Sequence, residues 1–166
     1  MLVDITPRME VSGVRRIIGF MLAHPDGFAS LDEAASAIAS YRDQVPRRGA
    51  GEGLRKVLRQ GDDLRWRWHW DPRFILSRDA EGGFDQVHTE QRLERLSGAA
   101  RQVRVPSLLL RGAQSDLVSE EGAHELLAAM PDVRYVNVSG AGHMVAGDRN
   151  DVFTDEVRRF VSTLSG

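Results

Sequence analysis

The chain has 166 residues, enough for one domain with a substantial core, and its 42% apolar and 28% charged residues are typical of a folded globular protein. The formal net charge of −2 argues against nucleic acid as a partner, and the absence of cysteine excludes disulfides and thiol chemistry. No stretch approaches the ~20 apolar residues of a membrane span and no leader pattern is present, so we expect a cytoplasmic protein without a membrane partner.

The first twelve residues predict the end of a core strand. Leu2 to Ile5 are apolar or β-branched apart from Asp4, and the pattern stops at Thr6-Pro7. Because proteins seldom begin inside a core strand, this pattern favours a truncated chain.

Residues 13–100 predict a mostly helical region. Ser30 followed by Glu33 is a capping-box pattern that begins one helix, and a further helix is expected around residues 86–100. Between them, residues 65–70 alternate with a period of two, as in a strand with one aromatic face. A first helix is indicated by apolar residues that share one helical face, namely Val14, Ile17, Ile18, Met21 and Leu22.

Residues 101–166 predict alternating strands and helices. Val103 to Leu110 form a continuous apolar run, typical of a strand buried on both faces of a parallel sheet. Ser119 is placed to cap the next helix, and Val133 to Val138 predict a second strand. The fold class is therefore α/β, with a mostly parallel sheet and right-handed crossovers.

Two loops that follow these strands carry the candidate chemistry. Asp116 stands after the first strand, and His143 stands in a glycine-rich loop after the second. Ligands bind beyond the carboxyl ends of parallel strands, and a carboxylate on one imidazole nitrogen leaves the other free as a base. We therefore predict that Asp116 orients His143, although Asp116 could merely begin a turn and a lone histidine in such a loop could be solvated.

Residues 102–164 resemble the C-terminal third of an α/β-hydrolase. Residues 143–151 are similar to the subgroup of epoxide hydrolases, non-haem haloperoxidases and carboxylic-ester hydrolases. The resemblance implies a partial α/β-hydrolase sheet in which residues 1–12 end a core strand, 13–100 form a helical cap and return helix, and 101–166 hold the acid Asp116 and the base His143. The resemblance is carried by Pro106, Gly112, Asp116, Gly140, Gly142, His143 and Met144.

The family's nucleophile is missing from this sequence. It normally stands on a strand–turn–helix elbow, usually Gly-x-Ser-x-Gly, and no such pentapeptide occurs here. Ser115 lacks the closing glycine and follows the wrong strand. We therefore expect a truncated hydrolase that is inactive alone, whose absent nucleophile is serine for ester substrates or aspartate for epoxides.

The remaining candidates concern substrate and metal. Met144, Trp68 and Phe20 are predicted to contact a small apolar substrate, but core packing explains Trp68 and Phe20 as well, with His69 then pointing to solvent. Asp4 is an alternative acid, although burial with hydrogen bonds to backbone is favoured for it. The histidines show no metal-ligand spacing, so no metal or cofactor is expected.

A non-enzymatic hypothesis remains open beside the hydrolase. The chain would then be a module that binds a small molecule or a protein, and the strand at Leu2 to Ile5 would offer an open sheet edge. Such an edge allows a homodimer or pairing with a protein that completes the sheet.

Overall fold

The structure is a computed structural model and describes residues 1–42, 49–71 and 90–164. These residues form two compact units, one of residues 1–15 with 90–164 and the other of residues 16–42 with 49–71. The elements in chain order are β1 (Leu2–Val3), α1 (Val11–Leu22), α2 (Leu31–Tyr41), a 3-10 helix (Glu52–Lys56), β2 (Leu58–Gln60), β3 (Trp66–Trp68), α3 (Glu90–Gln102), β4 (Ser107–Gly112), α4 (Glu120–Ala129), β5 (Val133–Val138), α5 (Val145–Asp148) and α6 (Asn150–Leu164).

The first unit contains a parallel three-stranded sheet in the order β1-β4-β5. Leu2 pairs with Leu109, and Ser107 pairs with Val133. The central strand β4 is buried along its whole length, as the apolar run predicted. The α/β class and the mostly parallel sheet are confirmed.

Strand β4 begins four residues later than the sequence predicts, at Ser107 instead of Val103. Pro106 has no N–H to donate to a neighbouring strand, and the side chain of Val105 is 65% exposed. The apolar run therefore starts outside the sheet.

Ser119 caps α4 as predicted, because its hydroxyl accepts a hydrogen bond from the Gly122 N–H at 3.2 Å.

Helices and the sheet of the first unit share an apolar core. Full burial of each leucine in this core contributes roughly 1.5–3 kcal/mol. One cluster consists of Leu108, Leu110, Val138, Ala141, Val145 and Phe160.

The second unit joins α2 to the antiparallel hairpin of β2 and β3. The predicted cap of α2 is present, because the Ser30 hydroxyl accepts from the Glu33 N–H at 3.1 Å. The Glu33 carboxylate accepts from the N–H of Ala29, one residue before the position that a capping box predicts. Trp66 and Trp68 pack against the buried cluster of this unit. His69 is exposed, so the core-packing interpretation of the tryptophans is confirmed.

The helix expected around residues 86–100 is α3, and its predicted first four residues lie outside the described residues. Within the described ranges, none of the helices combines the length and the apolarity that are needed to cross a bilayer.

Candidate active site

Asp4 lies where β1 ends, at the carboxyl edge of the sheet. Its backbone has a φ of 46°, an uncommon value for a residue other than glycine, and its N–H donates to the Leu110 carbonyl at 2.7 Å. The side chain is fully buried. Oδ1 of the carboxylate accepts from the Gly112 N–H at 3.0 Å, and Oδ2 lies 2.8 Å from Nδ1 of His143.

His143 is presented by the loop that follows β5. Gly140 has a φ of 72°, which explains the glycine there, and the Gly142 N–H donates to Oδ2 of Asp148 at 3.0 Å. Arg149 donates to the Ser139 carbonyl at 3.1 Å. Asp148 of α5 and the following Arg149 thus hold the loop, so the backbone that carries the imidazole is fixed in place.

The loop of His143 packs directly against the end of β4. A Cβ on Gly112 would lie 2.0 Å from the Gly142 carbonyl oxygen and 2.7 Å from that of Ala141. Glycine is therefore required at position 112 by close approach of backbone. This contact fixes the distance between the loop that carries His143 and the end of β4, where the Gly112 N–H binds the Asp4 carboxylate.

The Asp4–His143 contact favours one tautomer of a neutral imidazole. An ionised carboxylate only accepts hydrogen bonds, so beside it the favoured tautomer has the proton on Nδ1 and the lone pair on Nε2. The Asp4 side chain is 0% exposed, whereas the His143 side chain is 32% exposed. The buried carboxylate therefore orients an imidazole that solvent can reach.

The structure brings Asp4 into contact with His143, in the position that the sequence predicts for Asp116, and the role of Asp116 stays a prediction. Strand β1 is the parallel neighbour of β4, so its end reaches the same rim as His143 although 139 residues separate the two. The backbone of Asp116 instead packs on α1, where a Cβ on Gly13 would lie 2.2 Å from the Asp116 carbonyl oxygen. The only sequence signal for Asp4 was a lone carboxylate at a strand end.

Three residues are predicted to contact a substrate. Met144 follows His143 and is 55% exposed. Phe20 and Trp68 belong to the second unit, where their ring centroids are 6.0 Å apart, and their contact with a substrate stays a prediction.

Sequence reasoning also missed the role of the Ser115 side chain. Its hydroxyl lies 2.6 Å from Oδ2 of Asp4, on the same oxygen that contacts His143. Among the described residues, no three His, Asp or Glu side chains form a group that could hold a metal ion.

No family model matches the chain. Over 146 residues it is 30% identical to the 3-hydroxybutyrate-oligomer hydrolase of Cupriavidus necator, a match that covers 84% of this chain and 48% of that protein. The chain thus spans about half the length of this curated relative.

Two solved structures extend the comparison. E-2-(acetamidomethylene)succinate hydrolase matches 96% of this chain and 56% of its own, with a TM-score of 0.73 at 20% sequence identity. An α/β hydrolase from Novosphingobium aromaticivorans matches 96% and 55%, with a TM-score of 0.68 at 20% identity. At this identity the likeness establishes the fold.

Proposed function

We propose that this chain, which has the α/β-hydrolase fold of the C-terminal part of such enzymes and is similar in sequence to a hydrolase, carries the orienting carboxylate and the base of a hydrolytic site. The observation that carries the proposal is the 2.8 Å contact between Oδ2 of the buried Asp4 and Nδ1 of His143. Asp4 holds the imidazole, and Nε2 of His143 acts as the base.

The nucleophile in this proposal comes from outside the 166 residues. The sequence contains no Gly-x-Ser-x-Gly, and the relatives that it matches are about twice as long as the matched part. An acid and a base without a nucleophile give little covalent catalysis, because the triad acts as a unit. The chain alone is then inactive, and it becomes part of an enzyme once the nucleophile is present.

The reaction we favour is ester hydrolysis of a small, largely apolar substrate. The Cupriavidus relative is named for hydrolysis of 3-hydroxybutyrate oligomers, whose units are joined by ester bonds. His143 would take the proton of the attacking serine, and the Asp4 carboxylate would stabilise the imidazolium that results; His143 would then pass the proton to the leaving alkoxide. With an aspartate nucleophile, attack on an epoxide would open the ring and form an ester with the enzyme, and the same base would activate the water that hydrolyses this ester and releases the diol.

Substrate contacts in this proposal begin at Met144, which follows His143 in the chain and is half-exposed. Phe20 and Trp68 supply aromatic surface in the second unit.

The experiment compares the chain alone with the chain joined to the protein segment encoded directly upstream. We expect no ester turnover and no labelling by a serine-reactive phosphonate for the chain alone, and turnover with labelling at one upstream serine for the longer protein. In the longer protein, His143→Ala should lower kcat by about 10⁴-fold or more, as for other triad members. Stoichiometric labelling of the 166-residue chain, or a longer protein that neither turns over nor labels, would overturn the proposal and favour the non-catalytic module.

A further inference from the structure

Besides its contact with His143, the Asp4 carboxylate accepts two hydrogen bonds from the turn that begins at the end of β4. The Gly112 N–H holds Oδ1 at 3.0 Å, and the Ser115 hydroxyl holds Oδ2 at 2.6 Å. The turn is itself closed by a hydrogen bond of 2.9 Å from the Ser115 N–H to the Gly112 carbonyl. One four-residue turn therefore presents a donor to each oxygen of the same carboxylate.

The direction of the Ser115 hydrogen bond is fixed by its other contacts. A serine hydroxyl has one proton to donate and two lone pairs to accept with. The N–H groups of Leu117 and Val118 both donate to the Ser115 Oγ, each at 3.1 Å. Since both lone pairs are used, the hydroxyl proton is directed at Asp4.

The same contacts exclude Ser115 as the nucleophile. Its proton is bound to Asp4, on the side of the carboxylate that contacts Nδ1 of His143, and the basic nitrogen in this arrangement is Nε2. An attacking serine must instead give its proton to that basic nitrogen. Ser115 thus acts through Asp4.

The buried guanidinium of Arg111 holds the loop that carries Ser115. Arg111, which is 6% exposed, donates through Nε to the Val118 carbonyl at 2.8 Å and through a terminal nitrogen to Oδ1 of Asn137 at 3.1 Å. These bonds tie the end of the loop to β4 and β5. The hydroxyl is therefore presented by rigid elements, as preorganised sites require.

We propose that Ser115 is a positioning residue that keeps the plane of the Asp4 carboxylate fixed, so that His143 can gain and lose a proton while Asp4 stays in place. This inference rests on the proposed function. Ser115 and His143 both contact Oδ2 of Asp4, so the Ser115 hydroxyl also weakens the hydrogen bond between Asp4 and His143. Hydrogen bonds to a charged group are worth about 1.5–3 kcal/mol, which makes the effect measurable.

The test records the proton NMR resonance of the His143 Nδ1–H in the 166-residue chain. In Ser115→Ala, Oδ2 loses its second donor and becomes a stronger acceptor, so the resonance should move downfield. Ser115→Thr keeps a hydroxyl and should restore the wild-type position. Ser119→Ala is the matched control, because it removes a hydroxyl that caps α4 in the neighbouring turn and should leave the resonance unmoved.

An unmoved or upfield resonance in a folded Ser115→Ala variant would overturn the inference. If that variant does not fold, Ser115→Cys, which keeps the side-chain size with a weak donor, should show the same downfield displacement, and its absence would equally refute the role. In the longer protein, Ser115→Ala should lower kcat at least about tenfold with KM unchanged. The resonance reports on the Asp4–His143 hydrogen bond and does not require turnover. If Ser115→Ala displaces the resonance but the longer protein is inactive, the proposed function is refuted and the role of Ser115 at Asp4 is not.

Discussion

The close contact between Gly112 and the His143 loop makes one methyl group a sensitive probe of the site. In Gly112→Ala the new Cβ would start 2.0 Å from the Gly142 carbonyl oxygen, whereas ordinary contact begins at 3.4 Å. The two backbones must then separate by about 1.4 Å, the difference between these distances. Since both neighbours are backbone, no side chain can rotate away to make room.

Two consequences follow from that separation. Overpacking in a well-packed region costs about 1–3 kcal/mol, so the free energy of unfolding of Gly112→Ala should fall by this amount. The position of His143 relative to Asp4 should also change, and a displacement of about 1 Å costs on the order of 10²-fold in rate. Denaturant unfolding of the chain gives the first quantity, and kcat/KM of the longer protein gives the second.

The control for this prediction is Gly98→Ala in α3. Among the described residues, the nearest neighbour of a new Cβ there is a terminal nitrogen of Arg101 at 4.0 Å, and alanine favours a helix over glycine by up to about 1 kcal/mol. We expect unchanged or higher stability and unchanged rate for this variant. A Gly112→Ala chain as stable and as active as wild type would refute the packing argument.

Two further predictions concern the two units separately. Leu109→Ala, at a fully buried site in β4, should lower the free energy of unfolding by about 2–5 kcal/mol. Its control, Leu164→Ala at a half-exposed site, should change this free energy by less than about 0.5 kcal/mol. Denaturant unfolding curves that show equal losses for the two variants would contradict this. In the second unit, two hydrogen bonds from Arg67 hold the pKa of Asp63 well below its usual range. The pair therefore stabilises the hairpin at pH values above the ordinary aspartate pKa. This stabilisation is lost as the pH falls toward the depressed pKa of Asp63. Carbon NMR titration of the Asp63 carboxyl should show an ordinary pKa in Arg67→Gln, and an unchanged titration would contradict the assignment.

Local patterns predicted much of the fold. The apolar run of β4, the cap at Ser119 and the strand at residues 133–138 each depend on neighbours within a few residues, so sequence alone was sufficient for them. The error at the start of β4 has a local cause as well. Apolar character is shared by Val105 and the buried leucines, and only pairing across the sheet distinguishes them.

The two carboxylate candidates for the site differ only in long-range geometry. His143 is predicted from a glycine-rich loop after a strand, which is a local signal. The choice of Asp4 over Asp116 depends on the parallel pairing of β1 with β4 and on a contact across 139 residues. Ser115 depends in turn on Asp4, so its hydroxyl carried no signal until the carboxylate was placed.

The most direct test of the central claim is the tautomer of His143, read by long-range nitrogen–proton NMR of the neutral imidazole in the 166-residue chain. The Asp4–His143 contact predicts a protonated Nδ1 and a bare Nε2 in the wild type. Asp4→Asn should abolish this preference, because the amide is neutral and can present its NH₂ group, and Asp116→Asn should leave it intact. Loss of the Nδ1 proton in Asp116→Asn with retention in Asp4→Asn would contradict the account.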